Sequence, residues 1–321
     1  MPFLPVGGQA VIEGVMMRSP SRVAVAVRHA DGTIGFMERE FISVTRRRKI
    51  LALPVIRGAV SLFETMYLGI SALNFSADEL TRDEASAKAA AAGGAAPARP
   101  AGGMPGGAQI LTVGFSLVLG ILLFVVLPAR LAGWLGFHDR IGFGLVDGLF
   151  RLLAFILYLL LISQWKELAR VLGYHGAEHK AIHALENRAP LTPQSVQSFS
   201  RLHPRCGTSF LFLVVLISIV VFTFIGRPHG IGQHLLRVAS MPLIAGVAFE
   251  FIRLSGRYAD HPVVRLLVWP GMQFQRLTTR EPDLSMCEVA IAALQKVRTD
   301  EAVVALEARG DAARAEVAFV Q

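Results

Sequence analysis

The densest chemistry in this chain is the heptapeptide Tyr174-His175-Gly176-Ala177-Glu178-His179-Lys180, which reads HxxEH. On a helix, His175 and His179 stand one turn apart, about 40° around the axis and roughly 6 Å along it, so both imidazoles reach one ion. Glu178 lies on the adjacent edge, where a carboxylate can hold and deprotonate a water. Two His ligands with a Glu base form the inverted zincin motif. His175 and His179 are therefore candidate ligands of a divalent metal, zinc first, and Glu178 is the candidate catalytic base. The competing reading is a structural network in which buried His and Glu bond only to one another.

A second group is Arg201-Leu202-His203-Pro204-Arg205-Cys206-Gly207-Thr208-Ser209. His203 and Cys206, three residues apart, can share a metal, and Pro204 and Gly207 keep the intervening backbone irregular. Such a loop can close over the HxxEH helix. Three roles stay open for Cys206: metal ligand, nucleophilic thiol with His203 as its base, or packed thiol. Lys180 and Arg205 are candidates to stabilise developing negative charge.

Glu250 is the third item, because a carboxylate within an apolar span is costly unless paired or functional. It either completes a His, His, Glu ligand set with His175 and His179 or pairs with Arg253 or Arg257. Asp147 and Arg151, at i and i+4, read as an internal ion pair. His183 and Glu186 continue the face of His175 and His179 and read as a solvated stripe rather than ligands. His29 reads as incidental.

The elements that must position these groups follow from composition. The chain is 321 residues long, 53% hydrophobic, with a mean hydropathy of +0.50, which marks an integral membrane protein. The clearest spans are residues 109–127, 143–162, 209–226 and 235–254, each close to the roughly 20 residues that cross a bilayer. The N-terminus has no basic cluster followed by an apolar core, so no cleaved leader is expected. Lys and Arg concentrate before the first span, between the second and third, and after the fourth. That bias puts both termini and the His175 loop in the cytoplasm of a bacterium, with the protein in the inner membrane. The net charge of +8 then reports topology and contact with anionic lipid. Nucleic-acid binding is the weaker reading and no nucleic-acid partner is expected, because no aromatic-interleaved basic patch accompanies the charge. Cys206 and Cys287 both fall on the cytoplasmic side, so no disulfide is expected.

Residues 54–75 place Arg57, Ser61, Glu64 and Ser71 on one stripe, an amphipathic helix that lies at the interface or re-enters the bilayer. Ahead of it, Val23 to Val27 and Thr33 to Phe36 flank Ala30-Asp31-Gly32, a β-hairpin signal. The expected fold is mainly α: about four transmembrane helices with a small N-terminal cytoplasmic domain containing that hairpin. The segments are 1–53 (domain with strands), 54–80 (amphipathic helix), 81–107 (Ala/Gly/Pro linker), 108–255 (bundle, with motif loop 163–208) and 256–321 (C-terminal segment). Helical periodicity continues over residues 286–306.

The opening Gly7-Gly8-Gln9-Ala10-Val11-Ile12-Glu13-Gly14-Val15-Met16-Met17-Arg18, then YHGAEHK, HPRCGTSF and Gln275-Arg276-Leu277-Thr278-Thr279-Arg280-Glu281-Pro282, together resemble the YqhQ-like family of bacterial membrane proteins. The resemblance implies a metal-dependent enzyme, with hallmark positions Glu13, Arg18, His175, Glu178, His179, Lys180, His203, Arg205, Cys206, Thr208 and Ser209. Two positions depart from the family pattern: Ser19 where Gly is usual, and His183 where a small polar residue is usual. Glu13 and Arg18 are expected to form a buried salt link that docks the N-terminal domain.

Two function classes follow. One is a zinc hydrolase acting on a membrane-embedded or lipid substrate. The other is a noncatalytic partner or regulator of another membrane complex; a transporter component is a weaker third, and homo-oligomers are compatible with all three.

Overall fold

In the computed structural model the described residues are 6–92, 106–137, 139–204, 206–258 and 261–299. The chain opens as a four-stranded antiparallel meander: β1 (Gly7–Val11), β2 (Gly14–Arg18), β3 (Arg22–Arg28) and β4 (Ile34–Glu40), in sequence order. The β3–β4 hairpin turns at Asp31-Gly32 as expected, with Gly32 at φ +86°. The β1–β2 hairpin was not legible in the sequence, since its turn residue Glu13 is a non-glycine at φ +51°. Its carboxylate is held by Arg170, with Nη2 at 2.5 Å, and by the Tyr174 hydroxyl at 3.2 Å, which offsets the left-handed backbone.

Strand periodicity gives the sheet two apolar faces. Val15, Met17, Ala24 and Ala26 pack with Tyr174, Ala177, Val289 and Leu294 on one side. Met16, Val23, Val25 and Val27 pack with Leu68 and Ala72 on the other. The helices concerned are Lys166–Glu186 and Leu284–Arg298 on the first face and Ile56–Ala91 on the second, so β2 is buried at all five positions.

After β4 come a short α1 (Val44–Arg47), a 3-10 turn (Lys49–Ala52) and α2 (Ile56–Ala91). Helix α2 runs to Ala91, through residues that composition grouped with the linker. The polar stripe expected to face interfacial water is instead partly a docking face. Glu64 is buried, accepting from Ser43 Oγ at 3.0 Å and Val44 N at 2.7 Å, with Arg18 at 3.6 Å. His29 is likewise engaged, with Asp83 at 2.9 Å and Glu79 at 3.7 Å.

The membrane part begins with α3 (Gly106–Ile121), which passes through a π-helical turn (Leu122–Val126) into α4 (Leu127–Trp134). It continues with α5 (Arg140–Ile162) and then α6 (Lys166–Glu186) and α7 (Pro193–Gln197), which lie between the second and third spans. Helices α8 (Gly207–Ile225), α9 (Ile231–Ala239) and α10 (Met241–Arg257) follow, and then α11 (Pro262–Thr278) and α12 (Leu284–Arg298). Among the described residues four helices are long and apolar enough to cross a membrane: Ile110–Trp134, Arg140–Ile162, Gly207–Ile225 and Ile231–Ser255. Their exposed leucines and phenylalanines face lipid.

The bundle is pinned by buried charge. Asp147 and Arg151 pair at 2.8 Å as their spacing predicts, and Arg237 from α9 joins the same carboxylate oxygen at 3.1 Å. Arg151 also donates from Nε to Phe124 O at 2.8 Å, a carbonyl within the π-helical turn, and from Nη1 to Ser218 Oγ at 3.0 Å. The turn thus presents main-chain oxygen to a buried cation, which is how irregular helix persists at membrane depth. Close helix contact is set by Gly144 and Gly148 on α5. A Cβ at Gly144 would lie 2.0 Å from Thr223 Oγ1, and one at Gly148 would lie 2.7 Å from Ile219.

Candidate metal centre

Helix α6 carries the HxxEH motif and is buried along most of its C-terminal half, under β1, α7, α12 and the segments around residues 201 and 279. The expected solvated stripe is therefore an interior face. His175 and His179 come from consecutive turns, their ring centroids 4.5 Å apart. His175 donates from Nδ1 to Thr278 O at 2.7 Å, and His179 from Nδ1 to Arg201 O at 2.6 Å. A carbonyl only accepts, so each Nδ1 carries a proton and Nε2 is the atom that each ring could offer to a metal. Histidine ligands in metal proteins are oriented by the same outer-shell bond.

Cys206 sits at the N-cap of α8, with Thr208 N 3.4 Å from its Sγ. Its Sγ is 3.2 Å from His175 Nε2. Burial disfavours the thiolate, but His179 and His175 prevail and hold the thiol well below its ordinary range. In turn burial works against charge on His175, and Cys206 followed by Glu178 overcomes it, pushing the imidazole up to about 9. One donor atom from each of His175, His179 and Cys206 lies within 4.8 Å of the others. Two imidazoles and a thiolate are soft donors of the kind that zinc accepts, so these three residues could hold that ion.

Glu178 does not join that set. It is buried beneath β1, where a Cβ at Gly8 would lie 2.9 Å from Glu178 Cγ and 2.6 Å from Met16 O. Only glycine lets the strand approach so closely, and the Gly8 backbone bonds the carboxylate. Burial raises the Glu178 carboxyl above the usual range, against the pull of His179 and His175.

His203 was expected as a ligand near Cys206 or as its base, and the structure gives that contact to His175 instead. His203 Nε2 is 3.3 Å from Glu186 Oε2, and its ring centroid is 4.6 Å from that of His183. Gln275 grips its backbone, accepting from His203 N at 2.7 Å and donating to His203 O at 2.6 Å. Burial, with His179 beside it, pushes His203 down to about 3, so its ring is neutral.

Other expected site residues have different partners. Lys180 is buried, donates to Gln197 O at 2.7 Å and pairs with Glu281, which fastens α7 and the segment after α11 to α6. Glu250 was read as a third ligand or as a partner of Arg253 or Arg257; it is held by Arg57 and by Val55 N at 3.3 Å. Val55 has φ +68°, strained for a branched residue, and the carboxylate stabilises this entry to α2. Glu250→Gln is expected to lower the melting temperature in detergent and leave metal content unchanged; a fall in metal content would restore the ligand role. Glu13 and Arg18 do not pair with each other. Glu13 reaches α6 and Arg18 reaches α2, so each docks the sheet separately. Arg205 lies outside the described residues.

Sequence reasoning missed the Thr278 and Arg201 carbonyls, Gln275 and Gly8. The first two are main-chain groups with no residue-type signature. Gln275 and Gly8 did stand in the blocks that carried the family resemblance.

The profile of a protein family of unknown function, DUF1385, matches residues 53–300. The uncharacterised protein YqhQ of Bacillus subtilis (strain 168) is 30% identical over 304 residues, covering 92% of this chain and 93% of that protein. No solved structure matches the chain. The profile takes in α2 to α12, with the HxxEH helix and the His203–Cys206 loop, and this chain therefore belongs to the DUF1385, YqhQ-like family of membrane proteins.

Proposed function

We propose that this membrane protein is a zinc-dependent hydrolase of a bacterial inner membrane, acting on a membrane-associated or lipid substrate. The observation that carries the reading is the pair of pinned imidazoles. Nδ1 of His175 and of His179 are each committed to a backbone carbonyl, and one donor from each ring converges with Cys206 within 4.8 Å. Zinc held there by His175, His179 and Cys206 would supply Lewis acidity and activate water for attack. Glu178, whose burial raises its proton affinity, would be the general base that accepts a proton from the attacking water and returns it to the leaving group. Cys206 caps α8, a helix long and apolar enough to cross a membrane, which supports a lipid-borne substrate. The distribution of Lys and Arg supports a cytoplasmic site with both termini on the same side.

The test is metal analysis of the full-length protein purified in detergent. His175→Ala is expected to lose its zinc. Glu178→Gln is expected to retain zinc while losing turnover, because the carboxylate acts on the water without holding the ion. Metal-free wild type would overturn the reading and leave the cluster as a polar network in a noncatalytic partner of another membrane complex.

The 3.2 Å contact between His175 Nε2 and Cys206 Sγ favours one second reading, a nucleophilic thiol with His175 as its base. That reading requires Cys206 to be alkylated in protein that has not been treated with a chelator.

A further inference from the structure

One turn beyond the first cluster, His183, Glu186 and His203 bring a second set of donor atoms within 4.8 Å of one another. His183 and Glu186 stand at i and i+3 on α6, and His203 arrives from the loop before α8. His183 donates from Nε2 to Leu202 O at 2.9 Å, which fixes the orientation of its ring. The pattern repeats that of the first cluster, where His179 is pinned by the carbonyl of Arg201, the preceding residue. A single strap, residues 201–203, therefore lies along α6. It orients one histidine of each cluster with consecutive carbonyls and then contributes His203 itself. The strap is anchored by the two bonds of Gln275 to the His203 backbone and by Gln275 Nε2 to Ser209 Oγ at 3.0 Å. The four imidazoles form a row in the order 175, 179, 203, 183, with ring centroids 4.5, 5.7 and 4.6 Å apart.

We propose that His183, Glu186 and His203 hold a second divalent cation, making the centre a two-metal site. The donor set is two imidazoles and a carboxylate with no thiolate. Such a set takes first-row ions that accept nitrogen and oxygen, namely Zn(II), Mn(II) or Fe(II), and is less soft than the Cys206 cluster. The two clusters share the strap and no ligand, so either can fail without the other.

The experiment uses full-length protein in detergent, stripped of metal and titrated with Co(II), with bound metal counted by elemental analysis. Wild type is expected to bind two ions per chain. One adds a thiolate-to-cobalt charge-transfer band and the other adds ligand-field absorption alone. Glu186→Gln, which keeps the side-chain volume, and His183→Ala are each expected to bind one ion and keep the thiolate band. Cys206→Ser is expected to lose that band and retain the other ion. The retained band in Glu186→Gln also reports that the strap is still in place. One ion per chain in wild type, unchanged in Glu186→Gln and His183→Ala, would overturn the second site and leave the first standing. Loss of both ions and of the band in both variants would also overturn it, showing that the second cluster is a structural link. Protein that binds no cobalt would overturn both sites.

Discussion

Cys206→Ala is expected to strip zinc from the purified protein and to weaken its affinity more than a hundredfold. Cys206 is the one anionic donor among three, and it is set at the end of α8 with its Sγ 3.2 Å from His175 Nε2. Zinc bound to structural sites is worth about 10–16 kcal/mol, so deleting one of three protein ligands removes on the order of 3–5 kcal/mol. Truncation also leaves the half-buried His175 without its thiol partner. Alkylation gives an independent readout. In the loaded protein Cys206 should resist iodoacetamide, and chelation should make it the faster-labelled thiol. Cys287 should stay nearly inert at neutral pH, because burial pushes its thiol up to about 11. Zinc content unchanged in Cys206→Ala would remove the thiolate from the ligand set.

Asp147→Ala carries the largest structural effect expected in the bundle. Its carboxylate lies between Arg151 at 2.8 Å and Arg237 at 3.1 Å, and both guanidiniums are buried. The ring of Phe222 lies 4.5 Å from Arg151 and 4.9 Å from Arg237, and carbonyls of Phe124 and Gly226 accept from them. Those contacts do not replace a carboxylate. Removing one member of a buried ion cluster typically costs about 3–5 kcal/mol, since the remaining charges stay desolvated. The melting temperature in detergent should fall accordingly, with α5 and α9 losing their common anchor. Adding Arg237→Leu to Asp147→Ala should recover part of the loss by deleting one orphaned charge. An unchanged melt for Asp147→Ala would mean that water or detergent reaches the pair.

Short-range signals were legible without coordinates. Run length and the absence of charge located the four spans, because a bilayer demands about 20 apolar residues in sequence. Asp31-Gly32 gave the second hairpin, and the i, i+4 spacing gave both the His175–His179 juxtaposition and the Asp147–Arg151 pair. Each depends on backbone periodicity or on a turn residue, which neighbouring sequence sets. The first hairpin escaped because its turn uses Glu13 where glycine or asparagine is the usual signal.

Partners separated widely in sequence were decided only by the tertiary structure. Apolar run lengths, motif blocks and helical spacing were enough for the membrane class, the family and the helix that bears two histidines and a glutamate. Folding decided that Cys206 meets His175 rather than His203, that Glu250 meets Arg57, and that Arg18 meets Glu64. It also decided that α6 is interior, which turns His183 and Glu186 from a solvated stripe into candidate ligands. The physical reason is that packing brings main-chain carbonyls such as Thr278 O and Arg201 O against the rings. A carbonyl is present at every residue, so nothing in residue type announces which one will orient a histidine.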